Sequence, residues 1–436
     1  MLSTLRPPGA LLLLMVMVPL TAVAQNLPAD LRVRLLEPTA PQVLTLEAEE
    51  GLALYAADGP DRPLAEIGPD ERATLRMRDN EVHVVLDGLA FYALSLQIVP
   101  RHDAPLTIDV LDGVQPPEPR SYSGILHVDV DPVGPRALRL FNAVHLDSYV
   151  AAVVSREYGF DDLEGAKAMA VLARTYALHQ MQNGEGKTLS DQVLSQKYDG
   201  AKRITRAARE ATRLTQGEVL TYRGELIEAV YFSSSGGHTA DNEAVWNGVP
   251  LPYLRGVEDP YDTASPHALW RNTLPRDRLL DILSETYHFR VEGFHLGDRS
   301  RDGRIQTIEL LRGNRTGKVI SSNEFRLLVN RHFGPLQLKS TLFDARRNGN
   351  TYVFEGRGFG HGVGLSQYGA LEMSRQGYTY RDILAFYFTN VALQQWESGS
   401  SIPLVAETAS RQETGIRPPQ PKPEAKTKSS KKRVGW

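Results

Sequence analysis

The chain has 436 residues, 42% of them hydrophobic, which is enough apolar material for two cores. A formal net charge of −3 makes no general case for nucleic acid, and the lack of cysteine excludes disulfides, thiol catalysis and Cys-ligated zinc. At the start, Arg6 precedes an apolar run from Ala10 to Leu20 that is too short to span a bilayer, and Ala22-Val23-Ala24 fits the small-residue cleavage rule. We therefore expect a secretory signal peptide over residues 1–24, with an uncleaved membrane anchor as the alternative, and an exported protein of the periplasm or cell envelope. No later stretch is long and apolar enough to read as a transmembrane helix.

Residues 25–118 predict a small N-terminal β module. Short alternating runs such as Gln42 to Leu46, Glu81 to Leu86 and Ala93 to Ile98 are broken by Asp-Gly and Gly-Pro signals. Gly113 to Pro119 reads as a linker. Gly124 to Val130 and Leu138 to Val144 then read as strands feeding a helix, with Asp147 as its expected N-cap and Gly159 just past its end. On that helix the apolar series through Val150, Val153 and Val154 continues onto Glu157, which places a carboxylate on the inward face. Burial and the negative end of the helix dipole both favour the neutral acid, a state suited to general acid catalysis. The competing reading is a surface glutamate in a frayed last turn.

A second helix, Leu163 to Gln180, carries Ala166, Met169, Ala170, Ala173, Tyr176 and Ala177 on one side, while Lys167 and Arg174 share another face. Asp161, Asp162 and Glu164 crowd its start, where capping and the dipole account for them. Glu218 to Tyr222 and Glu225 to Phe232 flank Arg223-Gly224 as an apparent hairpin. FSSSGGHTADN, from Phe232 to Asn242, is either a substrate-contacting loop offering Ser233, Ser234, Ser235 and His238, or an ordinary polar turn. GRGFGHGVGLSQYGA, from Gly356 to Ala370, has glycine at every second position through Gly364, which clears one face of a strand. The space would take either an elongated ligand, with His361, Gln367 and Tyr368 supplying polar contacts, or another backbone segment. Neither a phosphate loop nor a dinucleotide fingerprint is present. Helices are expected from about Ser366, stopped by Gly377, and from Thr379 to Phe388. From Arg411 to Trp436, eight Lys or Arg face two Glu, a composition that cannot bury a core. This basic tail, counted from residue 396, is suited to an anionic envelope polymer or lipid headgroups, or is simply solvated.

YVAAVVSREY, AKAMAVLARTYAL, YFSSSGGHT, LPYLRGVEDPYD and GFGHGVGLSQYGA occur here in that order between about Tyr122 and Leu393. Together they resemble the stage II sporulation protein D family, which also includes the amidase-enhancer proteins. The resemblance implies an α+β fold for residues 119–395. It also implies a lytic transglycosylase acting on peptidoglycan glycan strands, preferentially those stripped of stem peptides, with the catalytic acid/base at Glu157. Ser233, Ser234, Ser235, His238, His361, Gln367 and Tyr368 would line its sugar groove. Some relatives hold zinc with a Cys and a His near this loop; His238 is kept here without a Cys, so no metal and no cofactor is expected. A cell-wall amidase is the protein partner implied. Two rival functions stay open: a non-catalytic amidase enhancer, and a serine hydrolase built on Ser233, Ser234 or Ser235 with His238 or His361, for which no G-x-S-x-G elbow is present.

Overall fold

A computed structural model describes residues 30–396 apart from 58–61, 70, 114–115, 132–135, 184–187, 193–195 and 247. The expected signal peptide and the basic tail lie outside the described residues. Mixed helices and sheets give the α+β class expected from the sequence.

The N-terminal strands alternate because one face of each is buried. Leu44, Leu46 and Ala48 point into the core from Val43–Ala48, as do Val82 and Val84 from Glu81–Leu86. They form two sheets. In one, Asp30–Leu35 pairs with Leu138–His145, followed in space by Ile125–Val130, Ser95–Pro100, Leu52–Ala56 and Ala65–Ile67. In the other, Arg120–Tyr122 lies beside Leu106–Val110, then Val43–Ala48, Ala73–Arg78, Glu81–Leu86 and Leu89–Ala93. The expected module boundary at 118 thus runs through both sheets. Tyr122, Leu126, Val128 and Leu140 are buried in one cluster with residues of the preceding strands and of the helices, so the N-terminal strands and the helical region share one core.

Helices α1 (Leu146–Glu157), α2 (Leu163–Asn183) and α3 (Arg206–Leu214) follow. Buried residues occur all round α2, from Ala166 to Met181, as small side chains allow neighbours to approach from several sides. Arg174 lies in this core, bonded to Asp147 Oδ1 at 3.1 Å and to the Glu218 carbonyl at 3.2 Å, whereas Lys167 pairs with Glu164 at 2.6 Å. The hairpin expected from Glu225 to Phe232 is shorter than predicted. Only Glu225–Leu226 pairs with Glu218–Tyr222, and the chain then turns away so that Tyr231–Phe232 runs parallel to Leu365–Ser366. Short α4 (Asn242–Trp246) comes next.

A second core lies within what the sequence suggested was one domain. Helices α5 (Arg276–Tyr287) and α6 (Ser322–Phe333) pack with two three-stranded sheets around Leu279, Leu283, Ile308, Leu310, Phe325 and Phe354. One sheet is formed by Trp270–Pro275, Thr351–Gly356 and Phe343–Asn348, and the other by Gly293–Leu296, Thr307–Arg312 and Arg315–Ser321. The chain then returns to the first core through α7 (Gln367–Arg375), α8 (Tyr380–Tyr387) and Ala392–Gln395, which pairs with Glu218–Tyr222. This second unit is therefore an insertion whose two ends meet beside the glycine-rich segment.

Candidate active site

Helix α1 aims Glu157. Its N-cap is His145, whose Nδ1 accepts from the Asp147 backbone N–H at 3.3 Å; Asp147, expected in that role, lies inside the first turn with its carboxylate on Arg174. At the other end Gly159 takes φ +63°, and the Tyr158 N–H closes the last turn on the Val154 carbonyl at 2.9 Å. Glu157 is half-buried and its Oε1 accepts the Lys197 backbone N–H at 2.8 Å. Desolvation raises its pKa from the ordinary 4.5, outweighing the lowering by that hydrogen bond and by Lys197 and Arg156.

Three side chains that the sequence did not single out form a largely buried hydrogen-bonded chain, and the Glu157 charge acts on its two phenols. Gln196, 1% exposed, accepts from the Tyr149 hydroxyl at 3.2 Å and donates to the Tyr231 hydroxyl at 3.1 Å. Burial, with the nearby Glu157 charge adding to it, holds both phenols well above their ordinary range, so they stay neutral. A carboxyl whose pKa is raised by burial, with neutral groups nearby, can give a proton to a bound ligand and take one back. If Glu157 is the acid, the alkaline limb of the activity profile should lie above pH 4.5. Measuring rate against pH for wild type and Gln196→Ala, which opens the site to water, should show that limb moving down in the variant; an unmoved limb contradicts control by burial.

The expected groove residues divide. Ser234 is buried and donates to Asp262 Oδ2 at 2.8 Å, while Ser235 Oγ is buried and accepts from the Gly237 N–H at 3.1 Å. These two serines brace the loop. Ser233 is half-exposed and its carbonyl accepts the Tyr368 N–H at 3.0 Å. Tyr368 is half-exposed too, with its ring 5.0 Å from Phe160, three residues beyond Glu157. Gln367 is buried in the first turn of α7. His238 Nδ1 lies 2.6 Å from the Thr239 carbonyl. Among the described residues no group of three or more His, Asp or Glu side chains is arranged to hold a metal. His361 has both ring nitrogens engaged, with Nε2 on the Tyr231 carbonyl at 3.0 Å and Nδ1 accepting from Val363 N–H at 3.1 Å. Burial, followed by the Arg326 charge, pushes its pKa down to about 3, so it is a neutral brace. Its ring supports Trp246, 5.2 Å away and 40% exposed.

The glycine alternation does not mark a strand. Gly358, Gly360, Gly362 and Gly364 all have positive φ, and what lies against them is largely chain. A Cβ on Gly358 would sit 2.8 Å from the Ser234 carbonyl oxygen, on Gly360 2.8 Å from Phe232 Cβ, and on Gly364 2.2 Å from the Val230 oxygen. Of the two occupants considered for this space, it is the backbone around residues 230–235 that the structure places there.

Comparison with known proteins accords with this architecture. A family model described as stage II sporulation protein matches residues 136–222, spanning α1 and Glu157, and a domain of unknown function matches residues 270–364, the inserted unit. Stage II sporulation protein D of Bacillus subtilis (strain 168) is 30% identical over 278 residues, covering 58% of this chain and 75% of the relative. The chain belongs to the stage II sporulation protein D family. The Bacillus amyloliquefaciens protein of that name is 29% identical, over 58% of this chain and 76% of the relative. An amidase enhancer of Bacillus subtilis (strain 168) is 26% identical over 81% of this chain and 53% of its own length. Among the described residues, no helix is long and apolar enough to cross a membrane.

Proposed function

We propose that this family member is an exported lytic transglycosylase that cleaves peptidoglycan glycan strands, preferentially those lacking stem peptides. The observation that carries the reading is the half-buried carboxyl of Glu157, at a helix end, with a raised pKa and neutral phenols on which its charge acts. Ordinary glycoside hydrolysis uses two carboxyl groups. Of the other acids, Asp162 accepts the Gly165 N–H, Glu164 pairs with Lys167 and accepts the Tyr380 N–H, Asp241 accepts the Gly256 N–H, Asp199 pairs with Arg156, and Asp161 is exposed.

One carboxyl suffices if the sugar supplies its own nucleophile. Glu157 protonates the oxygen linking N-acetylmuramic acid to N-acetylglucosamine, and the C1–O bond breaks. The resulting carboxylate takes the proton of the muramic acid C6 hydroxyl as its oxygen bonds to C1, closing a 1,6-anhydro ring and restoring the acid. Ser233, Tyr368 and Trp246 provide half-exposed or exposed contacts along the way. His238, His361, Gln367, Ser234 and Ser235 support the groove from beneath. A serine hydrolase is disfavoured, because Ser234 and Ser235 are tied to Asp262 and Gly237.

The amidase-enhancer relative favours a second reading, a glycan-binding protein that assists a cell-wall amidase without cutting. Purified protein incubated alone with denuded strands separates the two. A lytic transglycosylase releases soluble fragments without amidase; an enhancer binds the strands and releases none.

A further inference from the structure

The inserted unit reaches the FSSSGGH loop through the side chain of Arg304. Arg304, only 3% exposed, comes from the second core, with its Nε 2.8 Å from Asp302 Oδ2. Its Nη2 donates to the Ser235 carbonyl at 2.9 Å and to the His238 carbonyl at 3.2 Å, both in the FSSSGGH loop. The glycine-rich segment closes over it, since a Cβ on Gly362 would lie 2.5 Å from Arg304 Nε. The same unit and its approach hold that segment at two more points: Trp270 Nε1 donates to the Gly358 carbonyl at 3.0 Å, and the Gly360 N–H donates to the Lys339 carbonyl at 2.9 Å. Across the segment, Ser234 and Phe359 exchange backbone bonds at 2.9 and 2.8 Å, and the Ala240 N–H meets the Gly362 carbonyl at 2.7 Å.

Stability alone explains Arg304 poorly. A buried ion pair seldom contributes more than the apolar packing that could replace it, and Arg304 Nη1 is buried without a hydrogen-bond partner. What the guanidinium does supply is direction, because its rigid plane holds Nη2 on two loop carbonyls while Nε lies against the Asp302 carboxylate, a geometry that a flexible lysine does not preset. We propose that Arg304 is a positioning residue that clamps the Ser233–His238 loop against the glycine-rich segment, making the inserted unit an integral wall of the substrate groove. The glycan reading enters only through the binding arm of the test.

Full-length Arg304→Lys is compared with wild type by hydrogen–deuterium exchange and by binding to denuded glycan strands. The Gly236, Gly237, Thr239 and Ala240 amides should exchange about tenfold faster or more, as expected when a charge-assisted bond to the loop is lost. Ile308 and Leu310, in the inserted core, should keep wild-type exchange, and strand affinity should fall by a similar factor. Unchanged loop exchange overturns the clamp. Faster exchange with unchanged affinity overturns the role in the groove, and lost affinity with unchanged exchange makes Arg304 a direct contact instead. Should Arg304→Lys not fold, Gly362→Ala displaces the guanidinium from the opposite side and must speed the same amides. Wild-type protein that neither binds nor cuts strands sinks the glycan reading, while the exchange rates still decide the clamp.

Discussion

Glu157→Gln is expected to lower the release of soluble fragments from denuded strands by about 10²-fold or more while leaving the fold intact, since glutamine matches the shape but transfers no proton. The amide oxygen can still accept the Lys197 N–H that Oε1 accepts in the wild type at 2.8 Å. Stability supplies a second readout. Burial holds the Glu157 pKa above 4.5, so the folded protein binds this proton more tightly than the unfolded chain does. The contribution is fully present below pH 4.5 and is lost as pH rises through the folded value. Glutamine has no proton to lose, so at pH 7 the variant should melt no lower than wild type. A variant that is inactive and equally stable locates the defect in chemistry; one that cuts at near wild-type rate removes Glu157 from the mechanism.

A large loss of stability is expected from Gly369→Ala in α7. Its added Cβ would lie 1.9 Å from the Tyr387 hydroxyl and 2.8 Å from Asp259 Oδ2, which are themselves bonded at 3.0 Å. Asp259 is fully buried, and burial, followed by the Asp262 charge, pushes its pKa up to about 7. Alanine gains about 1 kcal/mol of helix propensity over glycine. Forcing the hydroxyl aside costs about 1–3 kcal/mol in overpacking and a similar amount for the orphaned buried acid, so the loss wins by about 1–5 kcal/mol. Thermal melting should fall by several degrees, and a midpoint within about 1 °C of wild type would show that the pair can move aside freely.

How far the sequence could be read depended on whether the deciding contact was local. The inward aim of Glu157 was legible because it continues the stripe through Val150, Val153 and Val154, all buried. The helix starts at Ser366 and Thr379 were legible because their side chains cap the Gly369 and Asp382 amides. Asp147 reads as a cap but lies two positions past it, since His145, a residue with little capping signal, starts the helix and Asp147 turns to Arg174, 27 residues on. The glycine alternation was ambiguous for a different reason: it reports missing side chains, and says nothing of the positive φ that makes Gly358 to Gly364 a loop. Gln196 and Tyr231 carried no periodic signal, as long-range folding alone brings them to Glu157. The inserted unit did leave a trace, in Ser321 three residues before Glu324, whose N–H it caps at 3.1 Å, followed by Phe325, Leu328 and Val329 on one face of α6.

The central claim, that Glu157 works with the sugar's own C6 hydroxyl, is tested most directly by mass spectrometry of the ends formed when purified protein cuts denuded strands in heavy-oxygen water. The account predicts 1,6-anhydro-muramic acid ends, one water lighter than hydrolytic ends, without a reducing terminus and without label. Reducing ends carrying the heavy oxygen would contradict it, since they require an attacking water and a second group to activate it.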